Sequence, residues 1–242
     1  MAIYFDNIVF GPIRSRRLGS SLGINLLPLK GKLCSFDCVY CECGWNSEGR
    51  SDHRMPTVEQ VREALRSKLS ECHRDNIPID SITFSGNGEP TLHPDFPEII
   101  DYTVALRDEL FPEAVISVLS NATMLGRPGV KEALRKIDNP ILKLDGVYED
   151  YVRLLDRPQN PNYSISEVIS NLEWFEGDFI LQTMFLRGVV DGVEVDSMRK
   201  DVLEGWQKMV IALRPREVML YTLDRQPPLS TLEKVSVKEM EQ

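Results

Sequence analysis

Short apolar runs alternate with amphipathic segments along most of the 242-residue chain. Six of these runs are rich in β-branched residues and predict strands, at 21–28, 80–85, 115–120, 140–145, 178–184 and 217–222. Runs of this length without polar alternation are typical of parallel strands covered on both faces. The pattern therefore predicts a sheet whose strands are separated by other elements.

Helical periodicity fills the intervals between these strands. Apolar residues over 58–69 recur at steps of 3, 4 and 4, and Thr57 with Gln60 predicts a capping box ahead of them. A second helix is predicted to open in the same way at Asp95, and an apolar stripe over 195–213 predicts a third. These stripes are interpreted as the core faces of helices that cover the sheet.

The alternation of strands and helices indicates βαβ units, a parallel sheet and right-handed crossovers. Six units are too few to close an eight-stranded barrel, so the chain predicts an α/β fold, a partial (βα)6 TIM-like barrel that is laterally open and built from parallel strands. A doubly wound open sheet is the alternative. The length fits a single domain over 1–242. In either fold, ligands bind at the carboxyl ends of the strands.

Charge is distributed unevenly along the chain. The formal net charge is −9, which predicts no general nucleic-acid surface. Residues 1–50 carry +2 and the remainder −11, so Arg14, Arg16 and Arg17 are expected to bring a substrate anion towards the site at the end of the first predicted strand, unless these are solvated surface charges. No apolar run approaches the roughly 18 residues that cross a bilayer, and the first residues lack a signal-peptide pattern. The sequence therefore predicts a protein without membrane contact.

Four of the five cysteines lie within ten residues, and their odd total makes a poor disulfide framework. This predicts a reducing, cytoplasmic setting. Cys34, Cys38 and Cys41 have the spacing C-x₃-C-x₂-C on a loop (32–46) that follows the first predicted strand. Three thiolates on so short a loop can converge on an iron–sulfur cluster, but thiolate is also a zinc ligand, with Cys43 available as a fourth. On spacing alone both metals stay open, while the position at a strand end favours a catalytic group.

The cysteine loop also carries a resemblance to a known family. CSFDCVYC resembles the signature of radical S-adenosylmethionine (radical SAM) enzymes, in which an aromatic residue, here Tyr40, usually precedes the third cysteine. Upstream, GPIRSRRLGSSLGIN resembles the subgroup related to wybutosine-synthesising tRNA enzymes. FSGNGEPTLHPDF, LSNAT, LKLDG, LDRPQ and LQTMF follow in the family order. The resemblance thus runs from about Gly11 to Pro228.

The resemblance implies an enzyme with two cofactors, a 4Fe–4S cluster and S-adenosylmethionine. It implies that Cys34, Cys38 and Cys41 bind three irons, and that the cofactor's amino and carboxylate groups bind the fourth. Reductive cleavage of S-adenosylmethionine would then give a 5′-deoxyadenosyl radical that removes hydrogen from the substrate. The implied electron donor is an external protein of the flavodoxin or ferredoxin type. A modified tRNA base, a peptide or protein, and a small metabolite all stay open as substrates.

The resemblance further implies contacts to S-adenosylmethionine at the strand ends. The residues so implied are Tyr40, Gly86, Asn87, Gly88, Glu89, Ser120, Asn121, Lys143, Asp145 and Gln182. Lys143 and Asp145 share one face of a strand by the period of two. A buried ion pair is the alternative for these two, because unpartnered charges are costly in an apolar run.

Two other classes of protein would use part of the same pattern. A non-catalytic iron–sulfur electron carrier or sensor needs only the cysteine loop, and a zinc-stabilised binding module needs only its four cysteines. Neither class gives a purpose to the GNGEP turn or to the polar residues at the later strand ends. The enzyme is therefore the favoured interpretation.

Overall fold

The computed structural model describes residues 4–15, 19–49 and 54–241. Its strands are β1 (Val9–Ser15), β2 (Gly19–Ile24), β3 (Ser81–Phe84), β4 (Val115–Ser120), β5 (Asn139–Lys143), β6 (Ile180–Val190), β7 (Val193–Asp196), β8 (Glu217–Thr222) and β9 (Leu232–Lys234). Its α-helices are α1 (Val58–Arg74), α2 (Phe96–Leu110), α3 (Val130–Leu134), α4 (Glu149–Asp156), α5 (Ile165–Glu173), α6 (Lys200–Leu213) and α7 (Val237–Met240). Short 3₁₀ turns lie at Asn46–Gly49 and Pro90–Leu92.

Six strands form a parallel sheet in the order β2-β3-β4-β5-β6-β8. Each of the six predicted strands corresponds to one of them. Among the described residues, no pairing joins β8 back to β1 or β2, so the sheet stays open at its sides. The predicted α/β fold, a laterally open partial barrel of parallel strands, is confirmed.

Apolar burial on both faces stabilises this sheet. All four residues of β3 are buried, as expected for a strand covered on both sides. The predicted capping box of Thr57 and Gln60 is present and begins α1. On the next helix, Phe96 meets Phe84 of β3 edge to face, with ring centroids 6.3 Å apart. The helices therefore cover the outer face of the strands and leave the strand ends free.

The first predicted strand is shorter than expected and has an unpredicted neighbour. β2 ends at Ile24, where the Asn25 side chain turns back on its own backbone and accepts from the amide of Leu27 at 3.2 Å. β1 lies antiparallel to β2, with Val9 opposite Ile24. The Gly-Pro pair at 11–12 interrupts the apolar pattern of β1, which is why that pattern predicts no strand there.

The predicted helix over 195–213 is wrong in its first residues. Val195 lies in β7, where it is buried and pairs with Gly188 of β6, and α6 begins only at Lys200. Burial at that position therefore comes from strand pairing and not from a helix face. At the second predicted helix, within the described residues, Asp95 is the N-cap of α2 but makes no side-chain capping hydrogen bond.

β6 is longer than its prediction and extends beyond the barrel. The first part of this 11-residue strand pairs with β5 and β8, and its last part pairs antiparallel with β7 and β9. The short helix α7 is attached to it by an ion pair of 2.8 Å between Arg187 and Glu239. An antiparallel extension therefore lies beside the carboxyl end of the parallel sheet.

Candidate functional site

The cysteine loop (32–46) lies at the carboxyl ends of the parallel strands. Leu33 forms a parallel bridge with Gly88, which follows β3. In this bridge Leu33 N donates to the carbonyl of Asn87 at 2.9 Å, and Glu89 N donates to the carbonyl of Leu33 at 3.2 Å. The loop and the turn after β3 are therefore joined by main-chain bonds at the end of the sheet where this fold binds ligands.

Hydrogen bonds from a distant segment and from within the loop fix the shape of the loop. The amide of Val39 donates to the carbonyl of Leu155 in α4 at 2.9 Å, and the amide of Gln159 donates to the carbonyl of Ser35 at 2.8 Å. The side chain of Asn46 accepts from the amide of Cys34 at 3.2 Å and donates to its carbonyl at 3.1 Å. The conformation of the loop thus depends on the folded chain around it.

A buried lysine lies under the second half of the loop. Lys32 Nζ donates to Asp37 Oδ1 at 3.1 Å and to the carbonyl of Gly44 at 2.9 Å. Burial by itself lowers the pKa of Lys32, but the neighbouring thiols, of which Cys41 has the largest effect, raise this pKa by more. The loop therefore encloses a fixed positive charge next to its sulfur atoms.

The turn after β3 needs its glycines. Gly88 has a φ of +135°, and a Cβ there would meet the carbonyl oxygen of Leu33 at 1.9 Å. A Cβ on Gly86 would meet Oδ1 of Asn25 at 2.4 Å. Asn87 between them is buried, and its side chain forms hydrogen bonds with the backbone. It accepts from Phe5 N at 2.8 Å and donates to Pro28 O at 2.9 Å. Its main-chain N–H donates to Asn25 Oδ1 at 3.1 Å and its carbonyl accepts from Leu33 N, so Asn87 holds the turn in place with both its side chain and its main chain.

Glu89 connects the ends of β3 and β4. Its carboxylate is 2% exposed and accepts from Thr91 N at 3.0 Å, from Ser120 Oγ at 2.9 Å and from Asn121 N at 2.6 Å. Burial raises the pKa of Glu89, although the hydrogen bonds that it accepts oppose this. The carboxylate thus positions Ser120 and Asn121. From the sequence, only the family resemblance groups these two residues with Glu89.

Asn121 reaches the first cysteine. Its Nδ2 donates to Cys34 Sγ at 3.5 Å and to Ser35 Oγ at 2.9 Å, while its Oδ1 accepts from Thr123 Oγ1 at 2.7 Å. We call Ser35, Asn121 and Thr123 the Cys34 flank. All of its side chains are neutral.

Charged side chains surround the second cysteine. Lys143 Nζ donates to Cys38 Sγ at 3.2 Å, to Tyr40 Oη at 2.6 Å and to Asp156 Oδ1 at 2.5 Å, and lies 3.3 Å from Asp145 Oδ2. The Tyr40 hydroxyl in turn donates to Asp145. We call Tyr40, Lys143, Asp145 and Asp156 the Cys38 flank. Lys143 and Asp145 thus belong to a buried ion cluster, the alternative that the sequence left open, and Lys143 also touches a cysteine.

The sequence did not single out Asp156, the fourth member of the Cys38 flank. It ends α4, where Tyr151, Val152 and Leu155 are also buried. An acidic residue on the apolar stripe of an amphipathic helix is the signal that could have found it. Burial raises the pKa of Asp156 to about 7, against the lowering effect of Lys143.

The remaining sequence-predicted residues fall in different places. Gln182 is half-buried in β6, pairs with Lys143 of β5 and so shares its face of the sheet. The expectation that Arg14 lies near the cysteine loop is wrong. Arg14 pairs with Ser20 at the amino end of β2, about 13 Å of strand away from the carboxyl end, because β1 runs antiparallel. Arg16 and Arg17 lie outside the described residues.

The cysteines without a predicted role differ in position. Cys72 is fully buried in α1, away from the loop. Cys43 lies within the loop and contacts the turn after β3, with its Sγ 3.5 Å from the carbonyl oxygen of Gly86. A hydrogen bond from Cys43, followed by the charge of Lys32, lowers the pKa of Cys41 to about 6, against the effect of burial. Burial and the charge of Glu89 raise the pKa of Cys34 to about 12.

A cavity of about 590 Å³ adjoins the cysteine loop. Tyr40 and Cys41 line it on the loop side, and Met184 of β6 and Tyr221 of β8 line it on the sheet side. At its rim Glu42 forms an ion pair of 2.7 Å with Arg225. The cavity offers a space for a ligand at the carboxyl end of the last two parallel strands.

Comparison with known protein families decides the assignment. The model of the radical SAM superfamily matches residues 30–203. The chain belongs to the radical SAM superfamily. The superfamily's enzymes bind a 4Fe–4S cluster and S-adenosylmethionine, so the predicted enzyme class and its two cofactors are confirmed.

Several curated proteins are similar to this radical SAM chain. A UPF0026 protein of Helicobacter pylori (strain J99) is 30% identical over 220 residues, which cover 90% of this chain and 67% of that protein. The UPF0026 protein slr1464 of Synechocystis is 31% identical over 228 residues, covering 91% and 77%. The UPF0026 protein MJ1312 of Methanocaldococcus jannaschii is 31% identical over 186 residues, covering 75% and 55%. The chain thus spans only part of the length of these relatives.

Solved structures share the radical SAM fold with this chain. SuiB of Streptococcus suis bound to its precursor peptide SuiA has a TM-score of 0.62 at 14% identity, covering 86% of this chain and 41% of that one. TYW1 with a lysine–pyruvate adduct has a TM-score of 0.57 at 16% identity, covering 93% and 72%. anSMEcpe with bound AdoMet has a TM-score of 0.60 at 15% identity, covering 84% and 52%. At these identities the likeness concerns the fold.

The residues of this radical SAM chain suit a thiolate-bound cluster. Within the described ranges, no three His, Cys, Asp or Glu side chains surround one point closely enough for a single metal ion. The cysteine ligands of a 4Fe–4S cluster bind one iron each and do not meet at a point. Here two of the three sulfurs of the signature receive N–H donors, from Asn121 and from Lys143. Such donors suit the negative charge of a cluster bound by thiolates.

None of the helices in the described part of the chain combines the length and the apolar character that a membrane span requires.

Proposed function

We propose that Cys34, Cys38 and Cys41 hold the 4Fe–4S cluster at the carboxyl end of the sheet and that the chain cleaves S-adenosylmethionine there. When bound, the reduced cluster supplies the one electron that breaks the sulfonium bond and yields the radical that takes hydrogen from the substrate. One observation carries the proposal. The three cysteines lie on one loop, and side chains from β5 and from the end of β4 donate to two of their sulfurs.

The roles of the neighbouring residues follow from their contacts. Gly86 and Gly88 let the turn pack directly against Asn25 and Leu33 at the strand end where the cofactor is proposed to bind, and Glu89 holds Asn121 in place. Gln182, on the inner face of β6, is proposed as a polar contact to the cofactor. The Cys38 flank lies beneath the cysteine loop, where Tyr40 separates the ion cluster from the cavity. These groups orient ligands and exclude water from the reacting atoms.

The site also needs an electron donor and a substrate. We propose an external donor of the flavodoxin or ferredoxin type and a reducing, cytoplasmic setting, which suits a site built from thiols. The substrate site is proposed to be the cavity beside Cys41, within a single domain over residues 1–242. SuiB was solved with a peptide and TYW1 with a lysine–pyruvate adduct, and the present site favours neither chemistry. The net charge of −9 supports a substrate other than bulk nucleic acid.

Replacement of one ligand tests the proposal. Anaerobically reconstituted Cys38→Ala is expected to lose the broad visible absorption of the cluster and all reductive formation of 5′-deoxyadenosine. Cys72→Ala is the matched control, since Cys72 is buried in α1. It is expected to retain both properties. Full iron, sulfide and cleavage activity in Cys38→Ala would refute the ligand assignment, and one equivalent of zinc without sulfide in the wild type would refute the enzyme itself.

A further inference from the structure

The Lys143 ammonium is held in an unusual position for a buried ion pair. Its three N–H groups have three close acceptors, namely Asp156 Oδ1 at 2.5 Å, Tyr40 Oη at 2.6 Å and Cys38 Sγ at 3.2 Å. The carboxylates of Asp156 and Asp145 alone would neutralise a buried lysine. The third donor is instead directed at a sulfur atom that the proposed function assigns to the cluster.

Aromatic walls keep the ammonium in this place. Lys143 Nζ lies 4.8 Å from the ring centre of Phe36 and 5.1 Å from that of Tyr40. Both rings belong to the cysteine loop, on either side of Cys38, and both are buried. The faces of aromatic rings attract cations, so the loop itself closes around the ammonium. Contact with the sulfur is therefore a built feature of the loop and not the chance end of a flexible side chain.

We propose that Lys143 is a positioning residue that raises the reduction potential of the cluster by donating a charged hydrogen bond to Cys38. This inference rests on the proposed role of Cys38 as an iron ligand. Hydrogen bonds to the ligand sulfurs are among the factors that set the potential of iron–sulfur clusters. In the redox step one electron passes from the external donor to the cluster, and no bond is made or broken.

The direction of the effect follows from charge. The reduced cluster carries one more negative charge than the oxidised cluster, so a nearby ammonium stabilises the reduced form more strongly. The interior position of Lys143 keeps this interaction from being screened by water and salt. Lys143 therefore makes the cluster easier to reduce by a donor protein of moderate potential.

A charge-matched double variant tests this role. Lys143→Met with Asp156→Asn removes one positive charge and, at a pH above the pKa of Asp156, one negative charge, so in a titration at such a pH the net charge of the Cys38 flank stays the same while the contact with sulfur is lost. The measurement is an anaerobic redox titration of the reconstituted full chain, with the reduced cluster quantified by electron paramagnetic resonance. At a fixed potential the ratio of reduced to oxidised cluster is expected to fall roughly tenfold, which is about 59 mV for one electron.

The matched control removes a similar pair far from the site. Lys136 and Asp101 form an exposed ion pair of 2.5 Å, and Lys136→Met with Asp101→Asn is expected to leave the titration unchanged. A second variant, Lys143→Gln with Asp156→Asn, retains a neutral N–H donor and is expected to give a smaller shift than the methionine variant. Iron and sulfide contents are measured for every variant.

Each outcome bears on a separate statement. An unchanged potential at full iron content would overturn the role of Lys143 and leave the ligand assignment intact. Failure of both Lys143 variants to take up iron, with normal circular dichroism, would also overturn it, because Lys143 would then serve cluster uptake. The Cys38→Ala experiment tests the ligand assignment by itself, so the two failures are distinguishable.

Discussion

The Cys34 flank and the Cys38 flank each supply an N–H donor to a cysteine sulfur, but they are built from different side chains. On the Cys34 flank an amide and two hydroxyls bond to one another, and Asn121 donates to the sulfur at 3.5 Å. On the Cys38 flank an ammonium, two carboxylates and a phenol do so, and Lys143 donates to the sulfur at 3.2 Å. Each cysteine thus has an N–H donor, but only one of these donors is charged.

This difference in charge indicates which flank tolerates amino-acid substitutions. Neutral hydrogen bonds contribute little net stability, since water replaces them in the unfolded chain. Buried charges behave differently, because each depends on its partner and the loss of one leaves the others uncompensated. The Cys38 flank should therefore respond strongly to single substitutions in both stability and electronic properties, and the Cys34 flank weakly.

The largest effect is expected from Lys143→Met as a single change. It leaves the carboxylates of Asp145 and Asp156 buried without their cation, so the free energy of unfolding of the cluster-free protein should fall by about 3–5 kcal/mol. Urea denaturation under reducing conditions, followed by circular dichroism, measures this. The control is Lys136→Met, which breaks an exposed pair with Asp101 and should cost at most about 1 kcal/mol. Equal losses in the two variants would show that the stability of the Cys38 flank does not depend on the burial of its charges.

A smaller effect is expected from Glu89→Gln, which acts behind the Cys34 flank. The new amide group would face the backbone N–H of Asn121 in place of an accepting oxygen. Loss of a hydrogen bond to a charged acceptor should lower the free energy of unfolding by about 1.5–3 kcal/mol and weaken S-adenosylmethionine binding, at unchanged iron content. Equilibrium binding and denaturation are both measured, with exposed Glu98→Gln in α2 as control. Unchanged cofactor affinity would show that the turn only shapes the backbone.

The smallest effect is expected from Asn121→Ala. It removes a neutral donor to Cys34, so the ratio of reduced to oxidised cluster at a fixed potential should fall only about threefold, since a neutral hydrogen bond is worth about 0.5–1.5 kcal/mol. The same redox titration measures it, with exposed Asn162→Ala as control. A shift as large as that of the Lys143 double variant would mean that the charge of the donor does not distinguish the two flanks.

The elements that the sequence predicted are those coded by local pattern. The six parallel strands are short apolar runs whose period is visible without knowledge of their neighbours. β1, β7 and β9 depend on the strand that each pairs with, because β7 and β9 have only 4 and 3 residues and a Gly-Pro pair interrupts β1. For the same reason Arg14 was misplaced, because the reversal of the chain between β1 and β2 moves it to the opposite end of the sheet.

Within the site, the sequence supplied the residue types but not their partners. Cys34 stood out by the spacing of the cysteines, Glu89 by the resemblance of its motif to the family, and Lys143 because a charge is costly in an apolar run. The partners of Glu89 come from β4, and Asp156 comes from a helix beyond β5, so only folding brings them together. Asn87 stood in a ligand-binding motif, yet its side chain bonds to Phe5 and Pro28. A motif marks such a position without saying which of its atoms are free.

The main-chain bonds that hold the cysteine loop have a consequence for how the enzyme matures. The anchors lie in two segments far from the loop in the sequence, at Gly88 and at Leu155 to Gln159, so the loop takes its final shape only after those segments have folded. The entropy of ordering the loop is then lost during folding and not when iron and sulfide arrive. A donor protein that delivers an assembled cluster would bind a loop that already has its final conformation. Insertion of the cluster would then follow folding as a separate step.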